Sequence, residues 1–270
     1  MYTGICERET TDEELARFYE GNVKYDLFPN QYLLLKREGV IIDKYKADKD
    51  GRVAPLRKKF FIESPLMGKV KPRNIRQELY FDLLESDIPL TLVSSEAGCG
   101  KTWVATCFAL QELERRKYDK ILFLRNNIPI DGVGELGILP GTSNEKLKGY
   151  FAYISDILTP FMFDTYLASG KIEIAWLGDM RGRNISNAFV LCSESQNLTT
   201  SLTKMIISRM GDGTRLVFDF DLDQIDHKKY EKDNGMMSII NNLTGHPMFG
   251  MVELIDVERS PLAKLASLIK

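Results

Sequence analysis

Cysteine is scarce and scattered: Cys6, Cys99, Cys107 and Cys192 are widely spaced and form no C-x-x-C pair. That pattern argues against a thiolate metal centre or a disulfide framework, and a reducing cytoplasm is the expected location. Long apolar runs are absent too. None reaches the roughly 18 residues that a membrane span needs, so no membrane partner is expected. The acidic opening, "MYTGICERETTDEELARF", holds no secretory hydrophobic region. Neither sign of charge dominates, because 36 Lys and Arg against 38 Asp and Glu leave a net charge of −2 and a pI of about 5.9. A polycation that coats nucleic acid is thereby excluded, and any such contact must come from a local patch. Candidate patches are Lys69 with Lys71 and Arg73, Arg181 with Arg183, and Lys204 with Arg209. Repeats and low-complexity tracts are missing as well. What is present is a balance of 44% hydrophobic and 27% charged residues, that of a globular chain. The 270 residues suffice for one large domain or a large one plus a small one.

Residues 1–26 read as a short acidic helix, with Thr11 or Asp12 as the N-cap before "EELARFYE". In residues 30–56, apolar runs separated by "REG" and "DKDG" predict two or three antiparallel strands. Pro65, Gly68 and Pro72 mark a linker, so a small β-containing module is expected over 1–67 and the main domain over 68–270. From there short apolar runs alternate with helical spacing. "IPLTLV", "KILFLR", "KIEIAWL", "AFVLCSE", "RLVFDFD" and "MVELIDV" are the strand candidates. Their apolar character is continuous rather than alternating, as in strands buried on both faces. The expected fold is α/β, a mainly parallel sheet with crossover helices.

One stretch carries chemistry. "SSEAGCGKT" (94–102) follows a strand signal and precedes "TWVATCFALQELERR", which has helical spacing. Strand, glycine-rich loop and helix in that order make a phosphate cradle: the helix N-terminus and exposed backbone N–H groups favour an anion. The pattern G-x-x-x-x-G-K-[ST] spans Ser95, Glu96, Ala97, Gly98, Cys99, Gly100, Lys101 and Thr102, with a serine where its first glycine belongs. Gly98 and Gly100 let the backbone approach the phosphates, Lys101 supplies a cation for them, and the Thr102 hydroxyl is a Mg²⁺ ligand. Ser95 only opens the turn and is compatible with it if its φ is negative. ATP and Mg²⁺ are the expected ligands. Such a site also needs an acidic pair at the end of a buried strand. "AFVLCSESQN" offers Ser193 at the metal-associated position and Glu194 as the candidate general base.

Taken in order, "VKPRNIRQELYFDLL", "AGCGKT", "LPGTSNEKL", "RGRNISNAFV", "SESQNLT", "ISRMGDG", "DLDQID" and "ERSPLAKLAS" resemble the PhoH-like ATPases, P-loop proteins related to superfamily 1 helicases. The resemblance covers residue 68 to the end of the sequence and implies a RecA-like P-loop core. Residues 27–60 look like the β-rich connector that joins a PIN ribonuclease domain to the ATPase in longer members. The PIN domain itself is expected to be missing, since 26 residues cannot hold it. By the same resemblance Gln77 reads adenine, Gln224 senses the γ-phosphate and Arg259 serves as an arginine finger or sensor. A single core of this kind implies a homo-oligomer, with a hexamer favoured, and RNA or single-stranded nucleic acid as the partner. The sequence departs from the family at Ser95, at Ser193 in place of the Walker B aspartate, and at Asn126 in place of a proline. It departs again at "DFD" (219–221), which replaces threonine–glycine–aspartate and puts Phe220 at a glycine position. Asp221 is retained, and Asp219 adds a carboxylate nearby. Two functions stay open: a slow or conditional ATPase coupled to nucleic acid, and an ATP-binding switch or assembly module with little turnover. A small-molecule kinase would share the loop but lacks a recognisable acceptor site.

Overall fold

The computed structural model describes residues 1–56, 60–96, 98–126, 154 and 156–258. Near the start, strands Ile5–Glu9 (β1), Tyr32–Arg37 (β2), Val40–Ala47 (β3) and Val53–Pro55 (β4) form one sheet in that order. β2, β3 and β4 are antiparallel, as their apolar runs and turns predict. The reading of residues 1–26 as a helix alone needs correction. β1 pairs parallel with β2 before the helix Asp12–Tyr19 (α1) begins. Only Ile5 of "ICERE" is buried, so this edge strand is specified by its partner and carries little periodicity of its own. Thr11 does cap α1, in a reciprocal capping box with Glu14.

The stretch read as a linker contains a hairpin, Ile62–Ser64 (β5) with Gly68–Val70 (β6). Three-residue strands are too short to show a period. The hairpin is fixed over the helix that follows the glycine loop, where the Glu63 N–H donates to the Gln111 side-chain oxygen at 2.7 Å.

Beyond it come Ile75–Glu85 (α2), Leu90–Ser95 (β7), Lys101–Glu114 (α3), Lys120–Arg125 (β8), Pro160–Ala168 (α4) and Ile172–Trp176 (β9). Ala188–Ser193 (β10), Thr200–Ile207 (α5), Arg215–Phe220 (β11), Lys228–Lys232 (α6), Gly235–Leu243 (α7) and Phe249–Leu254 (β12) complete the described chain. The six strands β7 to β12 form an all-parallel sheet in the order β12-β7-β11-β10-β8-β9. Each expected strand is present.

Both faces of this sheet are covered, which is why the strands read as unbroken apolar runs. Val93, Phe123, Leu191 and Val217 pack on the side of α2 and α3. Leu92, Leu124, Val190 and Phe218 pack on the other side, with Ile206 of α5 and Ile240 of α7. The N-terminal sheet leans on α2, where the Tyr32 hydroxyl donates to Asp82 at 2.6 Å and Lys46 pairs with the same carboxylate at 2.6 Å. Arg76 of α2 reaches Glu7 of β1 at 2.8 Å and the Glu253 carbonyl of β12 at 3.0 Å. Close approach also fixes this junction: a Cβ on Gly4, whose φ is +78°, would lie 1.7 Å from the Met251 carbonyl oxygen.

Candidate nucleotide-binding site

The carboxyl ends of β7, β10 and β11 meet where parallel α/β sheets hold their ligands. Ser95 closes β7 in extended backbone, and the loop then passes through Gly98 (φ 94°) and Gly100 (φ 88°) into α3. Serine is therefore tolerated at the opening position because its φ is negative. Gly100 is the N-cap of α3, and no side-chain hydrogen bond caps that end. The first N–H groups of a 14-residue helix, together with the positive end of its dipole, thus face the loop concavity. Lys101 lies against this loop, its Nζ 3.3 Å from the Ser95 carbonyl oxygen.

Thr102, in the first turn of α3, donates its hydroxyl to Asp219 Oδ2 at 2.7 Å. Asp219 is fully buried, and its second oxygen accepts the Glu194 backbone N–H at 3.1 Å. Burial pushes its carboxyl up to about 6, against the pull of the Lys101 charge and the Thr102 hydroxyl. Ser193 is the last residue of β10, one position beyond the Cys192–Phe218 pair of the β10–β11 ladder. Its buried hydroxyl has no hydrogen-bond partner among the described residues. The carboxylate on the loop threonine thus comes from β11, whereas the sequence reading put the metal-associated position at Ser193. Phe220, the bulky residue at a glycine position, sits in the core on the opposite face with Phe218 and leaves this site clear.

Glu194 has left-handed backbone, with φ 56°, an uncommon conformation for such a residue and one that clusters at functional sites. The Gln196 side-chain N–H donates to its carboxylate at 2.7 Å and to the Gln224 carbonyl at 3.3 Å. Gln224 in turn donates to Asp221 Oδ2 at 2.5 Å. The expected base and the expected γ-phosphate sensor therefore share one network, joined by Gln196 two residues beyond Glu194. Asn126 donates to the Asn197 carbonyl at 2.7 Å, tying the end of β8 to the same loop.

A cavity of about 570 Å³ adjoins the loop, lined by Lys69, Arg73, Gln77, Gly98, Gly100 and Trp103 among others. Gln77 is on its wall, but its amide is engaged with backbone. It accepts the Arg73 N–H at 2.9 Å and donates to the Cys99 carbonyl at 3.0 Å, which fixes the loop to α2. Trp103 was missed by the sequence reading, since one aromatic at a helix start carries no pattern. Of the basic patches, Lys69, Lys71 and Arg73 line this cavity, and Arg183 is paired with Glu173 at 2.6 Å. Glu96 is exposed beside the loop. Ala97, Arg259 and the "LPGTSNEKL" segment lie outside the described residues. The preceding residue, Glu258, donates its N–H to the Gly98 carbonyl at 3.0 Å.

The family profile described as PhoH-like protein matches residues 69–269. The chain belongs to the PhoH-like family. It is 33% identical over 287 aligned positions to the Protein PhoH2 of Bacillus subtilis, covering 99% of this chain and 64% of that protein. It is also 31% identical to the Protein PhoH2 of Thermobispora bispora (98% and 62% covered) and 32% identical to a PhoH-like protein of Synechocystis (72% and 60%). The chain thus spans less than two thirds of the length of these relatives. PhoH-like proteins form a P-loop ATPase family, and the α/β core with its parallel sheet fits a RecA-like P-loop fold. No helix among the described residues is long and apolar enough to cross a membrane.

The donors at this PhoH-like site fit Mg²⁺. They are oxygens only: the Thr102 hydroxyl, the Asp219 carboxylate and the unpartnered Ser193 hydroxyl. Magnesium favours such hard ligands and is usually held by few protein groups plus phosphate and water.

Proposed function

We propose that this chain binds ATP with Mg²⁺ and hydrolyses it, with turnover coupled to RNA or single-stranded nucleic acid. The observation that carries the reading is the line from Thr102 through Asp219 to Glu194, which joins the phosphate loop to a carboxylate and to a base. Lys101 and the N–H groups at the start of α3 hold the phosphates. Glu194, oriented by Gln196, takes the proton of the attacking water, and Gln224 registers the γ-phosphate from the end of β11. When bound, Mg²⁺ neutralises charge on the β- and γ-phosphate oxygens. The adenine is seated in the cavity between Gln77, Arg73 and Trp103. Arg259 acts toward a nucleotide at the boundary with a neighbouring copy, in a homo-oligomer for which a hexamer is favoured.

The test is phosphate release with and without single-stranded RNA, for the parent and for Lys101→Ala, alongside calorimetry of ATP binding. Loss of a charge-assisted contact of about 1.5–3 kcal/mol should raise the Kd of Lys101→Ala about tenfold or more. Equal ATP affinity in the two proteins overturns the reading. A second function, an ATP-dependent switch with little turnover, is supported by the serine at position 193. Tight ATP binding with phosphate release no faster than that of Lys101→Ala would identify it. Light scattering that shows only monomer with ATP and Mg²⁺ rejects the oligomer.

A further inference from the structure

Asp219 is the one buried carboxylate in contact with the phosphate loop among the described residues. In β11, alternate residues face opposite sides of the sheet: Val217 packs on the α3 side, and Phe218 and Phe220 pack on the other. Asp219 therefore shares the α3 side with Val217. Ser193 follows the same rule on β10, two residues beyond Leu191, which also packs on the α3 side. The carboxylate and the unpartnered hydroxyl thus stand side by side at the mouth of the loop. A buried ion needs close compensation, and Asp219 receives one hydroxyl and one backbone N–H. Ser193 is only 5% exposed, and its buried hydroxyl has no hydrogen-bond partner among the described residues.

We propose that Asp219 is the carboxylate that positions Mg²⁺ in this chain, delivered from β11, with the Ser193 hydroxyl as its polar neighbour on β10. Relative to the resemblance set out above, carboxylate and hydroxyl have exchanged places between two adjacent strands. Ser193 is then no defect, because the charge it lacks is supplied one strand away. This assignment rests on the reading of the loop as an ATP site.

The experiment measures Mn²⁺ binding by the electron paramagnetic resonance of the free ion, with a non-hydrolysable ATP analogue present. Analogue affinity in EDTA is measured in parallel. Four proteins are compared: the parent, Asp219→Asn, Ser193→Asp, and the exchanged variant Ser193→Asp with Asp219→Ser. Asp219→Asn should keep its EDTA affinity within about threefold and lose Mn²⁺ affinity by about tenfold or more. The exchanged variant should bind Mn²⁺ within about threefold of the parent, a comparison that stands even if Asp219→Asn folds poorly. Ser193→Asp, which keeps Asp219, should bind Mn²⁺ within about threefold of the parent, because Asp219 already supplies the carboxylate for the ion. Asp219→Asn and the exchanged variant both binding Mn²⁺ like the parent overturns the assignment alone. So does an exchanged variant that folds and recovers nothing. A parent that binds no analogue even in EDTA overturns the ATP reading and this assignment with it.

Discussion

A guanidinium N–H of Arg215 on β11 lies 2.7 Å from the backbone carbonyl oxygen of Leu84 in the last turn of α2. The same group reaches the carbonyls of Leu83 and Ser86, each at 2.6 Å, and the Thr91 hydroxyl at 3.1 Å. Arg215 is a buried cation held by neutral acceptors. It satisfies carbonyls that a helix end leaves without partners and opposes the negative end of the dipole. Burial lowers its pKa from the usual arginine value, yet guanidinium remains charged in proteins. Arg215→Met should strip the Leu84 and Ser86 carbonyls at once, while the Leu83 carbonyl keeps the Ser86 hydroxyl at 2.6 Å, and cost about 2–4 kcal/mol, read as a lower urea midpoint. A midpoint equal to that of the parent would show that water replaces the guanidinium there.

The four thiols should differ sharply in reactivity. Burial pushes Cys107 and Cys192 up to about 12, and Cys99, buried within the phosphate loop, is also raised by burial. The thiolate is the reactive species, so raising the pKa removes it at neutral pH. Only Cys6 is partly exposed. Native protein at pH 8 should titrate one fast thiol with Ellman's reagent, and Cys6→Ser should abolish it. Raising the pH to about 9.5 should not expose the three slow thiols while the fold holds. Two or more fast thiols in Cys6→Ser would contradict this.

Trp103 is 42% exposed and lines the cavity with Gln77. A purine seated there would quench its emission and shift it. The parent should show saturable quenching with ADP, and Trp103→Phe should lose the signal while keeping ADP affinity within about threefold, since phenylalanine still presents an aromatic face to the base. Quenching that survives in Trp103→Phe would place the base elsewhere, with Trp176 as the reporter.

The positions of the strands along the chain and the loop-to-helix turn were legible because continuous apolar runs and the spacing of Gly98, Gly100, Lys101 and Thr102 are local signals. The candidate base Glu194 was legible for the same reason, since it follows a buried run. Asp219 shows what a linear reading loses. In "RLVFDFD" it looks like one of two equivalent acids, and only the facing of β11 against β10 and α3 sets it on Thr102. The same blindness left Phe220, a bulky residue at a glycine position of the family, without a side of the sheet; its side chain belongs to the opposite face. β1 and the β5–β6 hairpin escaped for a different reason: each is short and is specified by the element it pairs with or covers. The amide of Gln77 could not have been assigned to backbone partners before the loop was placed beside α2.

Ser95 offers the sharpest test of how much the loop pattern demands. It ends β7 in extended backbone, so a Cβ costs nothing there, and its hydroxyl donates to the neighbouring Glu96 carbonyl at 2.7 Å. The groups proposed to cradle phosphate lie further on, at Gly98 to Thr102. Ser95→Gly should therefore change the ATP Kd by less than about twofold. It should lower stability by roughly 0.5–1 kcal/mol, because glycine adds chain entropy to the unfolded state of a strand residue. Calorimetry with ATP and urea unfolding on the same sample separate the two effects. A tenfold gain in affinity for Ser95→Gly would mean that the serine constrains the loop after all, and that the missing glycine is the limit on this site.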